Sequence, residues 1–125
     1  MESSVLIEND IYVLSRSLAI RIVNMYNELA SRREYVMSKQ ILRSGTSIGA
    51  NVHEGKNGQS RADFLSKMSI ALKEATETSY WLDILHETNF ITDKEFLSLN
   101  KDCTHVIAVL TKIIKNTKLN EQQRL

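Results

Sequence analysis

Residues 60–87 read SRADFLSKMSIALKEATETSYWLDILHE. Phe64, Met68, Ala71, Ala75, Thr78, Leu82 and Leu85 follow one another by alternating steps of four and three, the interval that puts side chains on one face of an α-helix. Ser60, with Asp63 three residues on, is a variant capping box with Asp in place of Glu and marks the helix start. Leu65, Leu72 and Trp81 lie off this seam. The spacing predicts one long amphipathic helix, and such a helix must bury its apolar line against neighbours of the same kind.

The neighbours are legible on both sides. Upstream, Met37, Ile41, Gly45, Ile48 and Val52 line a helix over about 35–54. Gly45 and Gly49 are four apart on it. Each glycine costs about 1 kcal/mol of helix stability relative to alanine, a cost that close approach of another backbone would offset. Gly55 and Gly58 are expected to end that helix, since glycine tolerates the left-handed conformation of helix stops, with Lys56 to Gln59 as the loop.

Further upstream, Ile11, Leu14, Leu18, Ile22, Met25 and Leu29 define a helix over about 10–31, with Asp10 as its N-cap. Downstream, Thr92 and Glu95 form a second capping box, and Phe96, Leu99, Cys103, Val106, Leu110 and Ile113 carry a helix over about 92–118 before a polar, fraying tail. Four such helices on short polar loops predict an all-α, antiparallel up-down-up-down four-helix bundle, one domain over 1–125. Val23, Leu72, Trp81, Ile107 and Ile114 exceed what a single seam requires, which predicts self-association.

Composition agrees with this class. With 42% apolar and 25% charged residues and no proline, the chain has the balance of a globular protein whose long segments are free to be helical. Cys103 is the only cysteine, so no internal disulfide can form, and a reducing, cytoplasmic location is expected. No apolar run approaches bilayer length, Val106 to Leu110 being among the longest, and the acidic start lacks the basic and apolar parts of a signal peptide. No membrane partner is expected.

Residues 43–55, from Arg43-Ser44-Gly45-Thr46-Ser47-Ile48-Gly49 through Ala50-Asn51-Val52-His53-Glu54-Gly55, resemble the hallmark stretch of the bacterial four-helix bundle proteins called 23S rRNA intervening-sequence proteins. Ser60, Phe64, Ile70-Ala71, Glu77 and Tyr80-Trp81-Leu82 continue the likeness, as do Arg21-Ile22-Val23 and Leu42-Arg43-Ser44 upstream. His53 departs from it, standing where members usually carry a small aliphatic residue. The resemblance implies no enzymatic activity and no cofactor. The family is also similar to the accessory variability protein of diversity-generating retroelements, a homopentameric barrel that binds nucleic acid and a reverse transcriptase. By resemblance, this chain is expected to form a homopentamer.

Candidate sites can also be read from the residues. Arg43, Ser47, Asn51 and Glu54 are spaced four, four and three apart, a polar stripe beside the apolar line, with Glu77 as a partner on the next helix. The expected role is structural, a hydrogen-bond network at least half-buried that sets helix register or a subunit interface. If Arg43 and Glu77 pair in the interior, removing either should cost on the order of 3–5 kcal/mol by stranding the other charge.

Arg16, Arg32, Arg33, Lys39, Lys112, Lys115 and Lys118 are candidate contacts to RNA or DNA, which a cationic surface binds by displacing counterions. The alternative partner is another protein, docked on leftover apolar stripe.

Catalytic constellations are weak. Asp83-x-x-His86 and Asp102-x-x-His105 have the spacing of di-metal bundle ligands but the wrong phase relative to the seams, so no metal site is expected. Arg43 and His53 are too far apart for a helical nuclease pair, Cys103 lies on the apolar line as a small buried hydrophobe, and no phosphate-binding glycine loop is present. The chain is expected not to be an enzyme.

Overall fold

The computed structural model describes the backbone of residues 2–124 and the side chains of residues 11–123. Four helices follow in order: α1 (Glu2–Ser31), α2 (Val36–Lys56), α3 (Arg61–Glu87) and α4 (Asp93–Arg124). Among the described residues there is no strand. Each helix packs on its neighbours around a ring, α1 on α2, α2 on α3, α3 on α4 and α4 back on α1, with the α4–α1 contact the smallest. Contacts climb one helix as they descend the next. Gly45 meets Ile22 while Gly49 meets Ser15, Arg43 reaches Glu77 while Glu54 reaches Lys67, and His86 reaches Asp93 while Arg61 reaches Glu121. Successive helices are therefore antiparallel.

The predicted seams are the core. Ile11, Leu18, Ile22 and Leu29 of α1, Ile41, Ile48 and Val52 of α2, Met68, Ala71, Ala75, Leu82 and Leu85 of α3, and Cys103, Val106 and Leu110 of α4 are all essentially inaccessible to solvent. Of the five apolar residues counted as surplus, Leu72, Trp81, Ile107 and Ile114 pack against this core and only Val23 is exposed. Exposed apolar surface also lies elsewhere, on α1 at Val13 and Ile20 beside Val23, at Tyr35 and Val36 at the start of α2, at Ile70 and Tyr80 on α3, and at Leu97 and Leu119 on α4.

The helix ends differ from expectation in four places. α1 begins at Glu2, so Asp10 stands within the helix and does not cap it; its side chain lies outside those described. The polar tail continues α4 to Arg124, past the expected stop near 118, with Thr117 buried and Glu121 paired to Arg61.

Neither Gly55 nor Gly58 adopts a left-handed backbone; that conformation occurs at Arg33 and Asn89, both with φ 66°. At each, the following amide reaches back five residues, Glu34 N to Leu29 O at 3.0 Å and Phe90 N to Leu85 O at 2.9 Å, the bond that closes a helix C-terminus when one left-handed residue follows it. Gly55 instead lies buried inside α2, where a Cβ would stand 2.7 Å from Met68 Cε and 2.9 Å from Lys67 Cβ.

Finally, α2 has a cap that the sequence reading missed. The Glu34 carboxylate accepts from the amides of Val36 (3.1 Å), Met37 (3.0 Å) and Ser38 (2.7 Å), satisfying three of the four orphan donors of a helix start. The predicted capping boxes of α3 and α4 are present. Ser60 accepts from Asp63 N at 3.1 Å, and Thr92 and Glu95 cap each other's amides at 3.1 and 2.9 Å.

Candidate functional site: the α2–α3 polar seam and the lysine face of α4

The polar stripe of α2 separates into three parts. Arg43 Nη2 pairs with Glu77 Oε2 and Nη1 reaches Glu74 Oε2 at 3.2 Å, while Trp81 Nε1 donates to the same Glu77 oxygen at 3.1 Å. Ser47 and Asn51 turn back onto their own helix, donating to the carbonyls of Arg43 and Ser47 at 2.6 and 2.8 Å. Glu54 pairs with Lys67 at 3.3 Å. The Arg43–Glu77 pair exists, but it is not interior: 49% of the Arg43 side chain is open to solvent. That corrects the energetic expectation, because an exposed pair contributes about 0–1 kcal/mol and not the cost of a stranded buried charge. The hydrogen bond from Arg43, followed by that from Trp81, holds the Glu77 carboxyl below its ordinary value.

The buried polar link between α2 and α3 is a neighbouring one. Thr78 Oγ1 donates to Ser44 Oγ at 2.9 Å, both side chains fully enclosed. Thr78 could be read as a seam position, yet only the packed pair shows that its hydroxyl meets Ser44. Beside it, a Cβ on Gly45 would stand 2.9 Å from Ile22 Cγ1 and Cγ2, and one on Gly49 would stand 3.5 Å from Ser15 O. The close approach predicted at these two glycines is real, and its neighbour is α1. His53, the departure from the family pattern, lies against Tyr12 with ring centroids 5.8 Å apart.

The candidate nucleic-acid residues are dispersed. Arg32 and Arg33 stand at the α1–α2 turn and Lys39 in the first turns of α2. Arg32 is partly committed, since Nη2 donates to Phe90 O across to the α3–α4 turn. Arg16 borders a shallow groove on α1 with Tyr12, Val13, Ser17, Ile20 and Arg21. Lys112, Lys115 and Lys118 lie in the second half of α4.

What joins the last three is a feature the sequence reading overlooked. On a helix of 3.6 residues per turn, Lys94, Lys101, Lys112 and Lys115 fall within an arc of about 60°, Lys118 lies about 60° beyond, and the file runs for about 31 Å. All five are exposed. The face opposes the seam of Leu99, Cys103, Val106, Leu110 and Ile113.

The pairing of charges on α4 is one-sided. Its four acids all have partners: Asp93 with His86 at 2.6 Å, Glu95 on the Thr92 amide, Asp102 with Arg21 at 2.5 Å, and Glu121 with Arg61 at 2.9 Å. Among the described residues, none of the five lysines is in an ion pair. The signal for this face was available in the seven- and eleven-residue intervals between Lys94, Lys101 and Lys112, which return to the same side of a helix.

The groups considered for chemistry are tied into other roles. His86 stacks on Phe96 with centroids 4.2 Å apart besides pairing with Asp93, and Asp102 is held by Arg21. No group of three or more His, Cys, Asp or Glu that could hold a metal ion occurs among the described residues. Burial pushes the Cys103 thiol up to about 11, the opposite of what a thiolate nucleophile requires. No described helix is long and apolar enough to cross a membrane.

No curated protein matches the chain. A solved structure from Bacteroides thetaiotaomicron VPI-5482, described as a protein with unknown function from the S23 ribosomal protein family, is 52% identical and superposes with a TM-score of 0.85, covering 87% of this chain and 98% of that one. The model of the 23S rRNA-intervening sequence protein family matches residues 8–112. With a match over most of its length and a solved relative at this identity, the chain belongs to the 23S rRNA-intervening sequence protein family.

Proposed function

We propose that this protein is a non-enzymatic, cytoplasmic, homo-oligomeric bundle that binds RNA or DNA through a basic surface. The observation that carries the reading is the imbalance of charge pairing on α4, where every acid is engaged and every lysine is left for an external anion. Polyanions bind such surfaces by releasing condensed counterions. Self-association is supported by the exposed line of Val13, Ile20 and Val23 on α1, which is apolar surface without a partner inside the bundle. A homopentamer is the assembly that the family resemblance favours. Repetition of one modest cationic face in a ring would raise affinity by avidity.

The test is a solution mass measurement combined with a gel shift on mixed RNA and DNA at low and physiological salt. The expected result is a discrete multimer that shifts nucleic acid at low salt and less at physiological salt. No shift at low salt ends the nucleic-acid reading, and a monomer ends the oligomeric one. A second reading, an adaptor that docks another protein, is favoured by the groove on α1 bordered by Tyr12, Val13, Ile20 and Arg21. It predicts a protein indifferent to nucleic acid whose partner binding is lost in Val13→Asp.

A further inference from the structure

We infer that the outward face of α4 is a docking rail for a double-stranded nucleic acid, gripping the phosphate backbone without reading sequence. The inference rests on the proposed nucleic-acid reading and narrows it to one face and one class of ligand.

Its geometry is linear. Lys94, Lys101, Lys112 and Lys115 stand on one side of a single continuous helix, with axial gaps of about 10, 17 and 5 Å and a total of about 31 Å. That length is close to one turn of duplex DNA, about 34 Å. A stiff file of charges matches a ligand that is itself stiff. A duplex carries one charge per about 1.7 Å of axis, twice the density of either strand alone, so a lysine held by a rigid rod meets more phosphate along a duplex.

Side-chain chemistry points the same way. Proteins that hold single strands supply aromatic platforms for the bases as well as cations. The only Phe, Tyr or Trp on α4 is Phe96, and its ring is stacked against His86. Between the lysines the exposed face carries Leu97, Thr104, His105 and Ala108, none of which offers the planar fork that arginine uses on base edges or phosphates. Lysine ammonium groups act as point charges on phosphate, which positions a duplex and leaves its sequence unread. Two acids lie off the file, Asp102 and Glu121 pairing with Arg21 and Arg61, and the exposed Asp93 at its N-terminal end pairs with His86.

The experiment measures fluorescence anisotropy of a labelled 20-base-pair DNA duplex, the matching RNA duplex and each single strand, over a salt series. Three proteins are compared: the wild type, K101A/K112A/K115A, and R33A/K39A, which removes the competing candidate contacts around the α1–α2 turn. Wild type is expected to bind both duplexes more tightly than the strands. The α4 variant should lose about tenfold or more in duplex affinity at 0.1 M salt and flatten the log–log salt slope by about 2.7, the value for three lost phosphate contacts, with its oligomer mass unchanged. R33A/K39A, which removes two of the other candidate contacts, should lose less duplex affinity than the α4 variant.

If the wild type binds no nucleic acid at low salt, the inference and the reading beneath it both fail. If the wild type binds and only R33A/K39A loses affinity, the inference fails while the reading stands. Stronger binding to single strands overturns the duplex assignment. Binding to vesicles containing phosphatidylserine with none to duplex shows that the face serves a membrane surface instead.

Discussion

The two sides of α1 are built on opposite principles. Against α2 the backbones are drawn together: Gly45 leaves no room for even a methyl group beside the fully buried Ile22, and Ser15 is enclosed opposite Gly49. Against α4 the contact is the smallest in the bundle, and Arg21 spans it by pairing with Asp102 and donating to Ser98 Oγ at 2.8 Å. The first seam depends on shape, where a displaced methyl is felt at once. The second includes an exposed charge pair, which contributes little and tolerates change. The same contrast recurs around α2 and α3, where the enclosed Ser44–Thr78 pair lies one residue from the half-exposed Arg43. Residues that look most chemical in the sequence are therefore not the ones that hold the bundle together.

The sharpest way to break the comparison is at Ile22. Ile22→Ala should cost about 2–5 kcal/mol by opening a cavity. Gly45→Ala should cost about 1–3 kcal/mol through overpacking, reduced by the roughly 1 kcal/mol that alanine gains in a helix. The added Cβ would occupy space that Ile22 vacates, so the double variant should be less destabilised than the sum of the two. Denaturant unfolding of all three proteins measures this coupling. Gly49→Ala is the internal control: its Cβ would stand at ordinary contact distance, 3.5 Å from Ser15 O, so it should leave stability unchanged or raise it by up to about 1 kcal/mol.

An intermediate effect is expected at Glu34, whose carboxylate caps α2. Burial acts to raise its pKa, but the amides of Met37 and Ser38, the Ser38 hydroxyl and the amide of Val36 outweigh it and hold the carboxyl below its ordinary 4.5. A carboxyl with a lowered folded-state pKa adds stability that is present above its unfolded pKa and lost as pH falls through the folded value. Glu34→Gln should therefore cost about 1–2 kcal/mol at neutral pH, the range of a lost cap. The gap in melting temperature between wild type and variant should narrow below about pH 4.5. A gap that stays constant through the acid range would remove the linkage.

The smallest effects are expected from the charge pairs. Arg21→Ala and Arg43→Ala should each change stability by no more than about 1 kcal/mol, as exposed pairs do. A loss of several kcal/mol in Arg43→Ala would show that the α2–α3 pair becomes enclosed, as it would if that face were covered by another copy of the chain.

The candidate site was only partly legible beforehand. The pairing of Arg43 with Glu77 could be anticipated, because a polar stripe of fixed spacing on α2 needs partners on the helix beside it. Its exposure could not, since spacing gives the side of a helix and not the depth at which that side ends. Lys112, Lys115 and Lys118 were visible as a local cluster. Lys94 and Lys101 were missed because intervals of seven and eleven are noticed along a seam and seldom on a solvent face. That all four carboxylates of α4 are engaged elsewhere depends on Arg21, Arg61, His86 and a backbone amide, two of them remote in sequence.

The apolar periodicity by itself determined four helices, the residues in the core and the capping boxes at Ser60 and Thr92, because these follow from interactions within a few residues along the chain. The Glu34 cap of α2 and the left-handed closures at Arg33 and Asn89 are equally local and were simply not signalled by apolar spacing. Tertiary structure alone decided that Gly55 serves close packing and not a helix stop. It also decided which charges pair and which remain free. These outcomes depend on how closely two helices approach and which side chains they bring face to face, distances that no periodicity along a single strand of sequence contains.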